Sequence, residues 1–584
     1  MPPTRPDTDR LPLPVPSAPA PPHHGGGVTG WTAPHQLDLP LPADPLADPP
    51  DPHLLARLGP AFALRNGLLP WRRRNGDILV LTATPQDFAR NQSFLTSLFG
   101  PTVRPLPCPR PLIEAALLAH AGPALAAAAA HRAPALASAR SFDRMTVTLA
   151  CTLAATGLAA LAAFAPATLF LLLTALAVLS LAATTALKCA AALAAAFAPD
   201  PDSPAPDDAA LPTISILVAL YGEADIAPRL VRRLSALDYP RDRLDVLLLV
   251  EEDDETTRAA LAGTALPPWM RVIAVPAGRV RTKPRALNFG LDFARGTIIG
   301  VYDAEDAPDP DQLRHVAAAF AAAPPDVACL QGMLDFYNPR TNWIARCFTI
   351  EYAVWYRLIL PGLDRLGLPV PLGGTTLFIR RTVLAQVGAW DAHNVTEDAD
   401  LGLRLARRGW KTRLIPTVTW EEANCRPVAW IRQRSRWTKG YLMTWLVHMR
   451  HPLALWRDLG TPGFLAMQAL FLGALLQVML APLQLSFLLY PPGPGHPFLD
   501  GLAPATVATL ATFFLFAQLA SLTLGAVALR IAGHPPQWRW LPLTIPYFLL
   551  ATLAGLKALA EALSRPFHWD KTRHGQHDAE ADPA

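Results

Sequence analysis

Cysteine is scarce in this chain. Six are scattered over 584 residues, at Cys108, Cys151, Cys189, Cys329, Cys347 and Cys425, and no two form a Cys-x-x-Cys pair. That spacing excludes a zinc ribbon and a disulfide framework, so the soluble parts are expected to work in a reducing compartment. Net charge is scarce too: 51 Lys and Arg stand against 47 Asp and Glu. So even a balance gives no basic face, and no nucleic-acid partner is expected. The N-terminus is rich in proline and has no apolar stretch of the kind a secretory leader needs, so no leader is expected.

Apolar residues, by contrast, are plentiful. They make up 51% of the chain and gather in long runs, which reads as an integral membrane protein. The length is too great for one core, so several domains are expected.

In chain order, residues 1–50 are Pro-rich and predict a disordered arm. His23 and His24 are too few for a metal site. Residues 51–122 predict a small α/β domain. It should hold a short helix ending at Gly59, a strand over Asp77–Thr82, a helix around Phe88–Leu98 and a last helix over Pro111–His120. Residues 145–187 predict a transmembrane hairpin broken near Pro166, each half about twenty residues and so able to cross roughly 30 Å. Arg132, Arg140 and Arg144 before it and Lys188 after it put both flanks on the cytoplasmic side. A Pro- and Asp-rich linker, 199–212, follows.

Residues 213–440 alternate strand and helix. Ile214–Leu220 and Leu244–Val250 are near-continuous apolar strands, as in a sheet covered on both faces. Arg271–Val275 and Thr297–Tyr302 complete a βαβαβ pattern, a doubly wound Rossmann-like sheet whose ligands should sit at the carboxyl ends of the strands. Residues 441–457, with Trp445 and Trp456, predict an interfacial helix. Three apolar segments follow within 463–563, at 463–489, 504–532 and 541–563. The last contains Pro542, Pro546, Lys557 and Glu561 and precedes Arg565, Lys571 and Arg573. It is therefore expected to be re-entrant or interfacial, with 564–584 a cytoplasmic tail.

The chemistry gathers where strands end. Tyr221 and Glu223 follow the first strand, and Glu252-Asp253 follow the second. Lys283, placed ahead of a helix, can meet phosphate as a point charge, and Asn288 reads as a helix cap. Asp303-Ala304-Glu305-Asp306 follow the fourth strand. Asp303 with Glu305 suits magnesium or manganese bound through one or two carboxylates plus phosphate oxygens, with Asp306 the rival second ligand. Thr396-Glu397-Asp398 sits at a helix N-terminus, with Gly409 as the stop. Trp430, Gln433, Arg436 and Trp437 fall on one helical face, which suits a ligand combining ring surface, hydroxyls and negative charge.

In order and spacing these motifs resemble the membrane-bound, processive family-2 glycosyltransferases, the group of the cellulose, hyaluronan, chitin and poly-N-acetylglucosamine synthases. The resemblance covers 213–457 most closely. It implies a GT-A α/β catalytic domain inserted between transmembrane helices. The family's Asp-x-Asp falls on Asp303-Ala304-Glu305, with Glu in place of the second Asp. Its early paired aspartates, which contact uridine, fall near Glu252-Asp253. Its Thr-Glu-Asp is intact at Thr396-Glu397-Asp398, and its Gln-x-x-Arg-Trp at Gln433, Arg436 and Trp437.

The resemblance implies a UDP-sugar donor held by Tyr221, Glu223, Glu252, Asp253, Lys283, Asp303, Gln433 and Arg436. It implies a magnesium or manganese ion on Asp303 and Glu305, and Asp398 as general base beside Glu397. Trp437 would stack on the acceptor, which approaches past Gly373-Gly374-Thr375. The product would be a β-linked polysaccharide made with inversion and exported through the helices, at a bacterial inner membrane with the catalytic domain cytoplasmic. Few spans are visible for such a channel. An export partner, or single addition to a lipid or lipid-linked acceptor in contact with membrane lipid, is therefore the alternative. Around Arg57-Leu58-Gly59, residues 51–122 resemble the N-terminal domain of type II secretion ATPases, which implies a docking or regulatory role.

Overall fold

The computed structural model describes residues 43–196, 208–223, 227–489 and 503–568. Most of the arm expected over 1–50, most of the 199–212 linker, the loop between the second- and third-last apolar segments and the end of the tail lie outside the described residues. The chain divides after His120 into two compact units.

The first unit is a three-stranded sheet with helices. Strand β1 (Leu68–Arg74) pairs antiparallel with β2 (Asp77–Thr82), and β2 pairs parallel with β3 (Val103–Pro107). The β1–β2 turn is Asn75-Gly76, at φ 51° and 85°. Asn-Gly tolerates this left-handed geometry and matches the strand twist. The helix Pro85–Phe99 makes the β2-to-β3 crossover, capped by Thr84, whose Oγ1 accepts from the Asp87 N–H. Expected helix and strand are present. The expected Pro111–His120 helix runs longer, over Arg110–Ala130.

The second unit is built on an eight-stranded mixed sheet, in the order β6-β5-β4-β7-β10-β9-β11-β8. These are β4 (Ile214–Leu220), β5 (Leu244–Glu251), β6 (Met270–Val275), β7 (Ile298–Tyr302), β8 (Ala307–Pro308), β9 (Val327–Phe336), β10 (Leu377–Arg380) and β11 (Lys411–Glu421). The β6-β5-β4-β7 half is parallel and doubly wound as expected. Every residue of β5 is buried. Its inward Asp245 is satisfied by Ser215 Oγ at 2.7 Å and Arg271 at 3.0 Å, since a buried carboxylate needs partners.

The other half departs from the doubly wound expectation. β10 is antiparallel to both β7 and β9, and β11 pairs parallel with β9. Strand order reverses about β4, whose neighbours are β5 and β7. At that switch point the carboxyl ends of β4 and β7 open a crevice.

Among the described residues six helices are long and apolar enough to cross a membrane: Arg110–Ala130, Met145–Phe164, Pro166–Ala196, Pro452–Phe487, Pro504–Ile531 and Pro535–Ser564. The 145–187 hairpin is thus present, its second arm extending to Ala196. The separate interfacial helix expected over 441–457 is not what forms. Pro427–His448 is one helix, continuous with the Gln-x-x-Arg-Trp face, and Pro452 starts the next. The helix Thr544–Ser564 lies along Pro427–His448. Trp430 Nε1 donates to the Tyr547 hydroxyl at 3.1 Å, Lys557 to Ser435 at 3.1 Å and Lys439 to Glu561 at 3.1 Å. Before and after Thr544–Ser564, His534 contacts Asp335 at 3.0 Å and Lys439 donates to the His568 carbonyl at 2.8 Å.

Candidate active site

A cavity of about 760 Å³ opens at the switch point. Tyr221 and Glu223 reach it from the end of β4, and Asp303 and Glu305 from the end of β7. Lys283 comes from the start of the helix Lys283–Gly290. Its Nζ donates to Asp303 and, at 2.8 Å, to the Gly374 carbonyl. Glu397 and Asp398 stand in the first turn of Glu397–Arg407, where carboxylates favour the positive end of the helix dipole. Gln433, Arg436 and Trp437 close the cavity from Pro427–His448.

Gly374 is where these groups converge. A Cβ built on it would lie 3.2 Å from Asp398 Oδ2 and 3.6 Å from Lys283 Nζ. Two residues on, Thr376 holds φ at 54°, a left-handed conformation that costs a β-branched residue energy. It is pinned by its N–H to the Val301 carbonyl at 2.8 Å and by its own carbonyl, which accepts the Gly332 N–H at 2.9 Å.

The structure separates the two rival carboxylates. Asp306 is fully buried, and its Oδ2 accepts from the Asp303 N–H at 2.8 Å and from the Thr375 hydroxyl. It braces the turn and does not line the cavity, whereas Glu305 does.

The pocket is overloaded with carboxylates. Burial, then the Asp303 charge, pushes Glu305 up to about 8. Burial, then Asp398, pushes Glu397 up to about 8. Burial also raises Asp398, against the Ala399 N–H and Lys283, which hold it down. Glu421, at the end of β11, is raised well above the usual carboxylate range by burial and then by Asp306. Against these stand Lys283 and Arg436. Burial works to lower the Lys283 ammonium, but Asp303 and Glu397 more than offset it and hold it above the ordinary lysine range. Buried charge of one sign calls for a partner. Asp303 and Glu305 supply the hard oxygens a divalent cation prefers, and so fit one. Among the described residues no cluster of three or more His, Cys, Asp or Glu could hold a metal ion.

Several expected site residues lie elsewhere. Trp430 is buried against Tyr547 and does not face the cavity, which corrects the expectation that it shares the ligand face. Asn288 is not a cap. It is buried inside its helix, where it donates to the Ala129 and Trp390 carbonyls at 2.9 and 2.8 Å. Glu252 accepts from the Ala277 N–H at 3.3 Å and Asp253 pairs with Arg281 at 2.6 Å. Neither lines the cavity, although their neighbour Glu251 and Arg281 do. Glu421 and Tyr356 were missed. Tyr356 sits in a π-helical turn, Trp355–Ile359, of a type often found at functional sites. Neither carries a local sequence signal.

A crevice with acidic groups at the switch point, facing a Gln-x-x-Arg-Trp helix, is the arrangement expected from the resemblance to glycosyltransferases of the GT-A kind. Residues 212–440 match the family model described as "Glycosyltransferase like family 2", so this segment is a family-2 glycosyltransferase domain. Residues 37–127 match the MshEN domain model, in line with the N-terminal resemblance. The chain is 31% identical over 271 residues to a beta-monoglucosyldiacylglycerol synthase of Synechocystis sp., covering 44% of this chain and 55% of that protein. It is 28% identical over 243 residues to the cellulose synthase 1 catalytic subunit [UDP-forming] of Komagataeibacter xylinus, covering 40% and 32%. The chain thus spans about half or less of these relatives' length. A solved mannosyltransferase from Pyrobaculum calidifontis, in complex with GDP-Man and Mn2+, is 21% identical with a TM-score of 0.41, over 66% of this chain and 99% of that one.

Proposed function

We propose that the chain is an inverting hexosyltransferase. It moves a sugar from a UDP-sugar to a growing β-linked polysaccharide at a bacterial inner membrane, with the catalytic domain cytoplasmic. The observation that carries this reading is the continuity of the cavity. From Asp398 and Trp437 it runs between membrane helices, whose walls include Thr184, Gln477, Gln484, Gln518 and Ser521. Amides and hydroxyls are costly to bury against lipid and suit a hydroxylated chain. Among the described residues Gln484 Nε2 is buried with no hydrogen-bond partner, so it has a donor to offer such a chain.

Asp398 takes the proton from the acceptor hydroxyl, and the acceptor oxygen attacks the anomeric carbon in line as the bond from that carbon to the diphosphate breaks and UDP leaves. The backbone N–H of Ala399, 2.8 Å from Asp398 Oδ1, and Lys283 favour the ionised form the base needs. Burial and the neighbouring Asp398 favour the protonated form of Glu397, which spares Asp398 a full neighbouring charge. Lys283 and Arg436 face the leaving diphosphate. A magnesium or manganese ion, held by Asp303 and Glu305, would neutralise charge on that diphosphate. Trp437 carries the acceptor ring, and the cavity holds donor and acceptor together.

Contacts at both flanks of Thr544–Ser564 support a re-entrant or interfacial position for that helix, with the C-terminus on the catalytic side. Lys557 and Glu561 then have partners on Pro427–His448 and need not enter lipid. A second reading, single addition to a lipid acceptor, draws support from the apolar end of the cavity at Leu181, Phe514 and Phe548.

The test uses purified protein in nanodiscs with magnesium or manganese. UDP-glucose, UDP-N-acetylglucosamine, UDP-galactose and UDP-glucuronate are offered separately, with UDP release and product size followed together. A long polymer from one donor is expected. A short lipid-soluble product made only with added lipid would replace this reading with the second. No UDP release from any donor would overturn both.

A further inference from the structure

The Gln-x-x-Arg-Trp motif leaves its middle residues undefined, yet one of them is the most heavily engaged side chain on the face. Arg434 projects into a box of three rings. Its guanidinium carbon lies 4.8 Å from the centre of Phe348, 5.1 Å from Trp430 and 4.7 Å from Trp437. Its two terminal nitrogens bind the two oxygens of Glu351, one of them at 2.6 Å, in a fork-to-fork pair. The Tyr547 hydroxyl closes the arrangement. It donates to Glu351 Oε2 at 2.7 Å and accepts from Trp430 Nε1 at 3.1 Å and from Arg434.

Three separate segments therefore meet on one side chain: the helix Trp343–Val354, the helix Pro427–His448 and the helix Thr544–Ser564. Trp437 and Phe348 are the rings of the box that also line the cavity, as do Arg434 and Glu351, and the Trp437 ring lies near Tyr352 at 6.4 Å and 29°. A tryptophan that lines an open cavity has rotamers available to it. A cation fixed at both ends under its ring removes that freedom, because the attraction is strongest in one position over the face.

We propose that Arg434 is a positioning residue that, locked by Glu351 and Tyr547, holds the Trp437 indole in the pose that receives the acceptor sugar. The proposal rests on Trp437 being the acceptor platform. It adds that a residue of the last helix, Tyr547, sets the geometry of that platform, so the helix Thr544–Ser564 serves the chemistry as well as the membrane.

The test measures UDP release from the donor selected by the assay above. It is followed against a titrated β-linked glucan oligosaccharide and against diacylglycerol nanodiscs, with calorimetric UDP affinity and thermal unfolding in parallel. Arg434→Met is expected to raise the acceptor KM roughly tenfold while leaving UDP affinity and donor KM unchanged. Arg434→Lys keeps a cation over the rings but loses the fork, so it should fall between Met and wild type. Tyr547→Phe should shift the acceptor KM in the same direction by a smaller factor. UDP affinity or unfolding temperature falling in step with the acceptor effect would overturn the proposal in favour of a merely structural pair. So would Lys and Met variants that behave alike. Trp437→Ala separates the two layers. If it leaves the acceptor KM unmoved, the acceptor reading of Trp437 falls and takes the proposal with it. If it raises the KM and Arg434→Met does not, only the clamp falls.

Discussion

Gly374→Ala is the sharpest test of how closely the reacting groups converge. The glycine carries no left-handed φ, so alanine adds no backbone strain, and the effect comes from one carbon atom. That carbon would stand 3.2 Å from Asp398 Oδ2 and 3.6 Å from Lys283 Nζ. Comfortable contact begins at roughly 3.5 Å, so the carboxylate must retreat by a few tenths of an ångström. Misplacement of a reacting group by about 1 Å costs on the order of a hundredfold in rate. A retreat of this size, with the methyl also occupying the acceptor's approach, predicts a fall in kcat of about tenfold. Gly374→Val, with two further carbons, predicts a fall on the order of a hundredfold. The assay is the initial rate of UDP release at saturating donor, with UDP affinity measured by calorimetry, which should not change. A valine variant with the wild-type rate and intact UDP affinity would refute the argument. It would mean that the acceptor does not pass between Gly374 and Asp398.

Two further predictions follow from the same pocket. Asp398→Asn should lower transfer by about a hundredfold to ten-thousandfold, the usual weight of a general base, while UDP still binds. An undiminished rate would discard the assignment. Glu305 predicts a pH-dependent stability. Its folded value near 8 lies above the ordinary 4.5, so the folded state holds its proton more tightly. That contribution is fully present below about pH 4.5 and is lost as pH rises towards 8. Unfolding temperatures of wild type and Glu305→Gln, followed over that range without metal, should converge at low pH, and wild type should lose ground as pH rises. Parallel curves would rule out a buried, raised Glu305.

Much of the parallel half-sheet is legible because strands buried on both faces read as near-continuous apolar runs; β4 and β5 are such runs, interrupted by Ser215 and Asp245. The antiparallel half is not. β10 is four residues long, and in β11, Lys411–Glu421, the stretch Leu414-Ile415-Pro416 breaks any alternation of polar and apolar groups. Neither has a period that stands out without the partner strand. In the first unit, β1 hides behind three arginines, although Asn75-Gly76 was a usable hairpin signal. The Gln-x-x-Arg-Trp helix was legible as a helix, but its end was not. Trp445 and Trp456 look like interface anchors, yet the Trp445 indole N–H is taken by Gln468 at 2.8 Å.

The residue types of the site and their order along the chain follow from the sequence alone: Asp303 and Glu305 after a buried strand, Asp398 at a helix start, Gln433, Arg436 and Trp437 at helical spacing. Periodicity also put Trp430 on that face, and only the tertiary structure decided against it. Tyr547, 117 residues away, claims its indole. In the same way the Thr375 hydroxyl holds Asp306 away from the cavity that Glu305 lines. Local spacing fixes which side chains point together from one element. It carries no information about which distant group arrives to bury, bond or charge them, because those contacts form between segments whose separation in sequence has no period.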